Sequence, residues 1–585
     1  MAGADKPTPP RGAVTKAEVA RALHTVAAML EFTSDNPFRI RAFSNAAAAI
    51  EDLSEDLQKL VDSGELLEVR GIGKSIFADV KSMLETGTFD EYEKLKQKVP
   101  AGVIEMMRVS GIGPKKAKTV FDKLGVKSVD ELEQAGREGK LAVIPGWGEK
   151  TQLNVLNAVS RYRKYSKRFL YSDAHKEASA IEEAIRRVPG VKRTLIGGSL
   201  RRCRETIGDI DILATAANAD PVMETFTTLD RVATVIAKGP TKSSIITNSG
   251  IHVDLRVVRD EEFAAASHYF TGNKEHNTEV RARAKKLGYK LNEYGLFQGD
   301  TAVEIEDEAA LFAKLGMDWI APELRENAGE IEAAEEHTLP KLVEVGDIRG
   351  TFHCHTTYSD GRATLREMAE AAKALGFEYL GIADHSKTAV YAGGLTEESV
   401  AKQREEIAAL NQELAPFVVF AGIESDILGD GRLDYDDDTL ATFDYVVASV
   451  HGQFTGTEAQ MTQRIVTAAS NPFTTMLGHP TGRILLSRDG YPVNLIAVFE
   501  ACAAHKVFIE INSWPNRLDL DWRHVRTAKE MGVQLVINPD AHGTSEIEFF
   551  RYGVGIARKG WLTKDDVLNT RSPDGVRDAL RKQQR

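Results

Sequence analysis

Gly197-Gly198-Ser199-Leu200-Arg201-Arg202, followed by Gly208-Asp209-Ile210-Asp211-Ile212-Leu213, decides how the first half of the chain is read. On a strand, side chains alternate between faces, so Asp209 and Asp211 share one face while Ile210 and Ile212 point into a core. Two carboxylates side by side repel each other, and a cation between them relieves that repulsion. The glycines, serine and arginines just before them can bring backbone N–H and guanidinium groups up to phosphates. A second alternating strand, Ile251-His252-Val253-Asp254-Leu255-Arg256-Val257-Val258, offers a third carboxylate in Asp254. Together they predict a nucleotidyl-transfer site in which two divalent ions hold a triphosphate for in-line attack.

A bare Asp-x-Asp more often marks a solvated hairpin, but the whole constellation is far more specific. The run Gly198 to Asp211 resembles the DNA polymerase beta-like nucleotidyltransferases, and family X DNA polymerases in particular. Tyr269-Phe270-Thr271-Gly272, with Asn277 and Arg281 after it, is similar to that family's nucleotide-selecting segment, and Leu291-Asn292-Glu293-Tyr294-Gly295-Leu296 to its thumb. The resemblance implies that Asp209, Asp211 and Asp254 are catalytic and bind two Mg²⁺ or Mn²⁺. It assigns dNTP binding to Gly198, Ser199, Arg202, Gly208, Tyr269, Phe270, Gly272, Asn277 and Arg281. Ser199 and Arg202 would hold the outer phosphates, Tyr269 would lie under the sugar and reject a 2′-hydroxyl, and Asn277 would contact the base edge.

Upstream, Val69-Arg70-Gly71-Ile72-Gly73-Lys74-Ser75 recurs as Val109-Ser110-Gly111-Ile112-Gly113-Pro114-Lys115-Lys116, with a weaker echo in Ile144-Pro145-Gly146-Trp147-Gly148-Glu149-Lys150. This repeat is the helix-hairpin-helix pattern, whose Gly-x-Gly turn leaves N–H groups at the next helix's N-terminus free for a DNA phosphate. Gly71, Gly73, Lys74, Gly111, Gly113 and Lys115 are the expected DNA contacts, with a monovalent cation at each hairpin. Family members with deoxyribose-phosphate lyase activity carry a Schiff-base lysine on the helix after the first hairpin. Counting from Gly71, that position is Asp79, with Lys74 and Lys81 only nearby, so lyase activity is not expected.

From Arg349 onward short apolar strands alternate with amphipathic helices, about seven times, which predicts a β/α barrel slightly smaller than the eight-stranded standard. Metal-type ligands end nearly every strand: His353-x-His355 with Asp360, Asp384-His385, Glu424, His451, His479 and Asp540-x-His542. A barrel gathers these ends on one rim, and nitrogen with carboxylate donors suits zinc, manganese or iron better than magnesium alone. His505 and His524 are left as structural, and Cys354 as core. The segment resembles the polymerase and histidinol phosphatase (PHP) family. By that resemblance His353, His355, Glu424 and Asp540 hold one ion; Glu424, His451 and His479 a second; Asp360, His385 and His542 a third. Up to three Mn²⁺, Zn²⁺ or Fe²⁺ are therefore expected, with Glu424 bridging and catalytic. Such clusters hydrolyse phosphoesters.

The chain of 585 residues exceeds one core, and its 42% hydrophobic and 27% charged content is ordinary for globular proteins. Three scattered cysteines argue against a disulfide framework. No apolar run is long enough for a bilayer, and the start lacks a signal-peptide core. The net charge of −12 is an average: basic clusters such as Lys115-Lys116-Lys118 and Arg161-Arg163-Lys164 are separated from acidic stretches near 323–336 and 434–438. A multidomain chain is predicted: a disordered tail (1–15), an N-terminal helical DNA-binding domain (16–90), a fingers-like helix-hairpin-helix domain (91–166), an α+β nucleotidyltransferase palm (167–265), a thumb-like domain (266–325), a linker (326–347) and a distorted (β/α)7-type PHP barrel (348–585).

The combined resemblance is to a bacterial family X DNA polymerase with a C-terminal PHP domain. It implies a DNA repair polymerase of the base excision type, filling short gaps from dNTPs on gapped or recessed duplex DNA, with a metal-dependent 3′–5′ exonuclease. Abasic-site endonuclease and 3′-phosphatase are the other hydrolyses open to that site. A monomer in the cytoplasm, associated with the nucleoid and with no membrane partner, is expected. The alternatives are a non-DNA nucleotidyltransferase fused to a phosphatase, which the hairpins oppose, and a DNA-end-binding scaffold, which the intact carboxylates and ligand set oppose.

Overall fold

The computed structural model describes residues 14, 16–53, 57–69, 71–109 and 111–581. The rest of the tail, and with it the expectation of disorder there, lies outside the described residues, as do Arg70 and Ser110. Two compact units divide the chain: one takes in the residues through Arg168 with Thr228–Ala233, the other Phe169–Thr227 and Thr234–Arg585.

The first unit is helical. In Lys16–Phe32 the three- and four-residue spacing of Val19, Leu23, Val26 and Leu30 puts all four on one buried stripe. One hydrophobic core runs unbroken from Val19 to Val159, and Phe32 meets Phe121 edge to face at 5.6 Å. The helices of the two N-terminal domains expected from sequence pack on this single core.

The second unit begins with a five-stranded mixed sheet in the order Val191–Ile196, Asp209–Ala216, His252–Val258, Lys242–Thr247, Val232–Lys238. Asp209–Ala216 and His252–Val258 are parallel neighbours, with Asp211 directly opposite Asp254. The helix Tyr171–Arg186 covers the sheet with Ala174, Ala178, Ile181 and Ile185, spaced three or four apart. A small three-stranded antiparallel sheet, Lys290–Asn292, Gly295–Gln298 and Thr301–Val303, follows.

The segment 326–347 is not the linker its Ala- and Glu-rich composition suggested. It contains the helix Glu330–Glu335, whose Ile331 and Ala334 enter the core of the preceding domain, and Leu342 and the barrel's Trp561 join the same cluster. Glu330 is fully buried because the N–H groups of Asn327 and Ala328 and the ring of His276 satisfy its carboxylate. Palm, thumb and barrel thus pack as one unit.

The barrel has seven parallel strands in sequence order: Gly350–Cys354, Tyr379–Ile382, Val418–Asp426, Tyr445–Ser449, Met476–Leu477, Phe508–Asn512 and Leu535–Asn538. The first and last regions meet through His355 N–H to the Ala541 carbonyl, 2.8 Å, and the Thr351 hydroxyl to the Ile537 carbonyl, 3.0 Å. Phe352, Tyr379, Phe420 and Tyr445 fill the interior, which Leu568, Val576 and Leu580 close from the chain's end. Gly422 faces the Tyr445 ring, where an added Cβ would stand 2.3 Å from it, so the tyrosine's place requires glycine there.

Candidate functional site

In the first unit all three Gly-x-Gly turns have one geometry. Gly71, Gly111 and Gly146 take φ of 100°, 80° and 83°, and the N–H of the residue just before each following N-cap (Ile72, Ile112 and Trp147) returns to a carbonyl three residues back. Only glycine enters that region without strain. Gly73, Gly113 and Gly148 then cap Lys74–Thr86, Pro114–Leu124 and Glu149–Tyr165 without a side-chain hydrogen bond. Gly71, Gly73, Lys74, Gly111, Gly113 and Lys115 are exposed, while Ile72 and Ile112 are buried and fix the turns. Uncapped, exposed N–H groups at a helix start suit an anionic oxygen. Asp79 is half-buried, and burial, with Glu91 and Asp90 nearby, pushes its carboxyl up to about 6.

In the palm, Asp209 and Asp211 lie on the more exposed face of their strand and Ile210 and Ile212 are buried, as the alternation predicts. Burial, and then the charges of Asp209 and Asp254, push the Asp211 carboxyl up to about 7. Asp254 goes the other way. Burial acts upward on it, but Lys242 Nζ at 2.6 Å and the Ser244 hydroxyl at 2.5 Å outweigh that and lower it. Lys242 and Ser244 come from the neighbouring strand, and no motif in the sequence marks them. A carboxylate trio with one lysine drawn onto it is a donor set for hard divalent cations.

The Gly197-Gly198 turn is fastened to both halves of this site. Gly197 N–H donates to the Asp211 carbonyl at 2.8 Å and Gly198 N–H to the Phe270 carbonyl at 2.6 Å. Gly198 has φ 61°, and a Cβ there would stand 2.6 Å from Asp211 Oδ2. Its N–H is therefore spent internally and not offered to a phosphate. Arg202 is also more engaged than the sequence suggested: Nε donates to Glu326 at 3.0 Å and Nη1 to the Thr271 carbonyl at 2.6 Å. Tyr269 and Phe270 are half-buried, edge to face at 5.0 Å. Asn277 is buried, its amide N–H₂ holding the Tyr269 and Gly272 carbonyls at 2.8 and 3.2 Å, and an added Cβ at Gly272 would strike it. Arg281 is exposed, with Nε on the Asn277 carbonyl. Gly208 and Ser199 flank the carboxylate strand and the turn, both partly exposed.

All four groups of three or more convergent metal-type ligands among the described residues lie on the barrel rim. Glu424 belongs to two of them, one with His353 and His479 and one with His385 and His451. Its Oε1 has His353, His451 and His479 Nε2 atoms at 3.1, 3.1 and 3.0 Å, and its Oε2 has His385 Nδ1 at 3.0 Å. His353, His355 and Asp540 form a third group, and His355, Asp360, His385 and His542 a fourth. All nine expected ligands thus converge, with His355 shared more widely than the sequence reading had it. Burial acts upward on Glu424, but the imidazoles of His451 and His353 hold it well below the usual carboxylate range. Burial acts downward on His385 and His451, yet carboxylates, Glu424 foremost, raise them to about 10 and about 9. His355 is driven down to about 3 by burial and by His542 and His385 beside it. Both of its ring nitrogens, with His353 Nε2, are buried without a hydrogen-bond partner, as expected of nitrogens whose partner is a cation. The donors and these orphaned atoms fit a cluster of divalent ions.

The backbone at the rim is strained. His353, His479 and Asp540 have φ of 56°, 23° and 54°, and the first strand's register shifts between Thr351 and Cys354. His353 and His355 therefore meet through a bulge at a site-forming position, not by simple alternation. Cys354 between them is buried in the outer core. Asp384 is not a ligand; it accepts from Thr356, Ser359 and Gln403. His505 and His524 are exposed and apart from the rim groups. Sequence reasoning missed two carboxylates that set ring orientation. Glu510 accepts at 2.5 Å from His353 Nδ1, and Asp426 bonds His451 Nδ1. A glutamate inside the apolar run Val507-Phe508-Ile509-Glu510-Ile511 was the available signal for the first.

Family models match four stretches: a helix-hairpin-helix domain over 14–89, a SAM-like helix-hairpin-helix tandem over 103–158, the DNA polymerase beta thumb over 266–326 and the PHP domain over 351–513. The chain is 37% identical over 572 residues to the DNA polymerase/3′-5′ exonuclease PolX of Bacillus subtilis, covering 97% of this chain and 99% of that one. The barrel alone is similar to probable phosphatases: 27% identity over 230 residues to one from Thermoanaerobacter sp., covering 37% of this chain and 89% of that protein, and 27% over 253 residues to one from Caldanaerobacter subterraneus. With the hairpins, the paired palm carboxylates and the nine-ligand rim in one polypeptide, the chain belongs to the bacterial family X DNA polymerases that carry a C-terminal PHP domain.

Proposed function

We propose that this protein is a DNA repair polymerase that adds dNMP units to a primer at the palm and removes them through a 3′–5′ exonuclease in the PHP barrel. The observation that carries the reading is Asp211 facing Asp254 beside the Gly197-Gly198 turn, in a chain whose barrel surrounds Glu424 with four imidazoles. Asp209, Asp211 and Asp254 hold the palm's divalent ions; Ser199, Arg202 and Arg281 are assigned to the triphosphate and its nucleotide; Tyr269, Phe270, Gly272 and Asn277 shape the sugar and base pocket. Divalent ions, when bound, supply activated oxygen nucleophiles and neutralise charge on the phosphoryl group at both sites. Mg²⁺ or Mn²⁺ suits the all-oxygen palm, and Mn²⁺, Zn²⁺ or Fe²⁺ the imidazole-rich rim. Short-gapped duplex is the assigned substrate, because repeated hairpins grip backbone without reading sequence. The working form is a monomer in the cytoplasm, near the nucleoid.

A second hydrolysis, 3′-phosphatase, is favoured by the barrel's likeness to proteins named probable phosphatases. The test is incubation of the purified chain with gapped, recessed, abasic and 3′-phosphorylated duplexes, with and without dNTPs, across Mg²⁺, Mn²⁺ and Zn²⁺. Templated extension with dNTPs and 3′-end shortening without them are expected. Untemplated addition, or shortening only of non-DNA esters, overturns the reading.

A further inference from the structure

The palm residues after the Gly197-Gly198 turn lie against two barrel helices, Trp522–Glu530 and Phe550–Lys559. Glu205 accepts from the Trp522 indole at 3.2 Å and from Arg523 at 2.9 Å. Lys559, which ends the second helix, is buried with its ammonium 4.5 Å from the centre of the Trp522 ring. That ammonium donates to Glu326 Oε1 at 2.6 Å, to the Arg202 carbonyl at 3.0 Å and to the Glu323 carbonyl at 3.2 Å. All three of its protons are used.

Glu326 is the shared element. Its carboxylate also accepts from Arg202 Nε at 3.0 Å and lies 3.4 Å from Arg204 Nη1. Arg202 is thus held on its Nε edge by Glu326 and on Nη1 by the Thr271 carbonyl, while Nη2 has no hydrogen-bond partner among the described residues. A buried carboxylate that loses its nearest cation re-forms its bonds around those that remain, here Arg202 and Arg204.

We propose that Lys559, a barrel residue outside the metal-ligand groups, is a positioning residue of the polymerase site: it anchors Glu326 so that Arg202 keeps one nitrogen available to the incoming triphosphate. The PHP domain thereby sets dNTP affinity in addition to housing the exonuclease. This rests on the assignment of Arg202 to the triphosphate. It extends that assignment to residues that no motif marks.

The test uses the full-length chain on a one-nucleotide gap, with Lys559→Met, Lys559→Arg, Glu326→Gln and Arg202→Ala. Lys559→Met keeps an apolar stem over Trp522, and Glu326→Gln breaks the same contact from the other side. Each is expected to raise KM for dNTP roughly tenfold, the scale of losing one buried charged hydrogen bond, with kcat, DNA affinity and primer degradation little changed. Lys559→Arg should recover most of the loss, which a merely structural role does not predict. An unchanged KM in Lys559→Met and Glu326→Gln, while Arg202→Ala raises it, overturns the proposal and leaves the polymerase reading standing. An unchanged KM in Arg202→Ala overturns both the proposal and the assignment beneath it. If Lys559→Met fails to fold, Glu326→Gln alone decides between these outcomes.

Discussion

Glu510 Oε1 stands 2.5 Å from His353 Nδ1, so the ring presents Nε2 to Glu424. Glu510 also accepts the His479 N–H and both Asn512 and Asn538 amides, which makes it the floor on which two ligands rest. Glu510→Gln keeps the shape but loses the charge that holds the His353 tautomer. Metal affinity at the rim is expected to fall about 10–100-fold. The Mn²⁺ concentration giving half-maximal primer degradation, measured beside direct metal titration, checks this; an unshifted midpoint removes the role.

The two chemistries should separate by mutation. Asp211→Asn removes a charge that holds the palm ions, so primer extension is expected to fall by roughly three orders of magnitude while degradation persists. Glu424→Gln, at the centre of four imidazoles, should abolish degradation and spare extension. Both variants are assayed for extension and for 3′-end shortening in Mn²⁺. Degradation lost in Asp211→Asn, or kept in Glu424→Gln, refutes the placement of the nuclease in the barrel.

DNA affinity should depend steeply on salt despite the acidic chain, because phosphates gripped by the hairpins release counterions. With roughly six phosphate contacts, log K against log salt should slope at about −5. Replacing Lys115 and Lys116 with alanine should flatten that slope by one to two, again as a rough estimate from the same counting. Affinity for a gapped duplex from low to moderate salt is the measurement, and a flat line contradicts the gripping role.

Glu308 gives a pH signature. Burial acts upward on its carboxyl, but Arg325 and Arg201 outweigh it and hold it near 2, against about 4.5 unfolded. A lowered carboxylate contributes its full stability above the unfolded value and loses it as pH falls towards the folded one. Glu308→Gln should therefore cost about 3 kcal/mol at pH 7, since it also leaves the buried Arg325 without its partner. The difference from wild type should shrink between about pH 4.5 and 2, because the lost group titrates there. Denaturant unfolding across that range tests the sign.

Borohydride trapping on an incised abasic duplex should give little adduct. Asp79 stands where a Schiff-base lysine is expected, among Glu91 and Asp90, and Lys81 points its charge to Glu85 at 3.9 Å. Efficient trapping that disappears in Lys74→Ala or Lys81→Ala would show a displaced lysine at work.

What the sequence made legible was local. The strand ends carrying His353, Glu424, His451 and His479 stood out because polar ligands terminate apolar runs, and the carboxylate pair stood out because period-two alternation is visible in four residues. The hairpins were legible through repetition. Lys242 and Lys559 were not, since each acts on a partner from another element and no spacing rule joins them; Glu510 left only the trace of a charge inside an apolar run. The segment 326–347 was misread for a related reason. Its Ala- and Glu-rich composition pointed to a linker, and only His276 and two backbone amides, brought in by folding, explain how Glu330 is accommodated in the interior.

Barrel helices, ion pairs and part of a core hold the palm and thumb in place, and that has a consequence for dissection. A chain cut before the barrel would lose the Trp522, Arg523 and Lys559 partners of Glu205 and Glu326 and bare the apolar surface that Trp561 now covers. The polymerase half is not a free-standing piece with a nuclease appended; its own walls are partly made of the other domain.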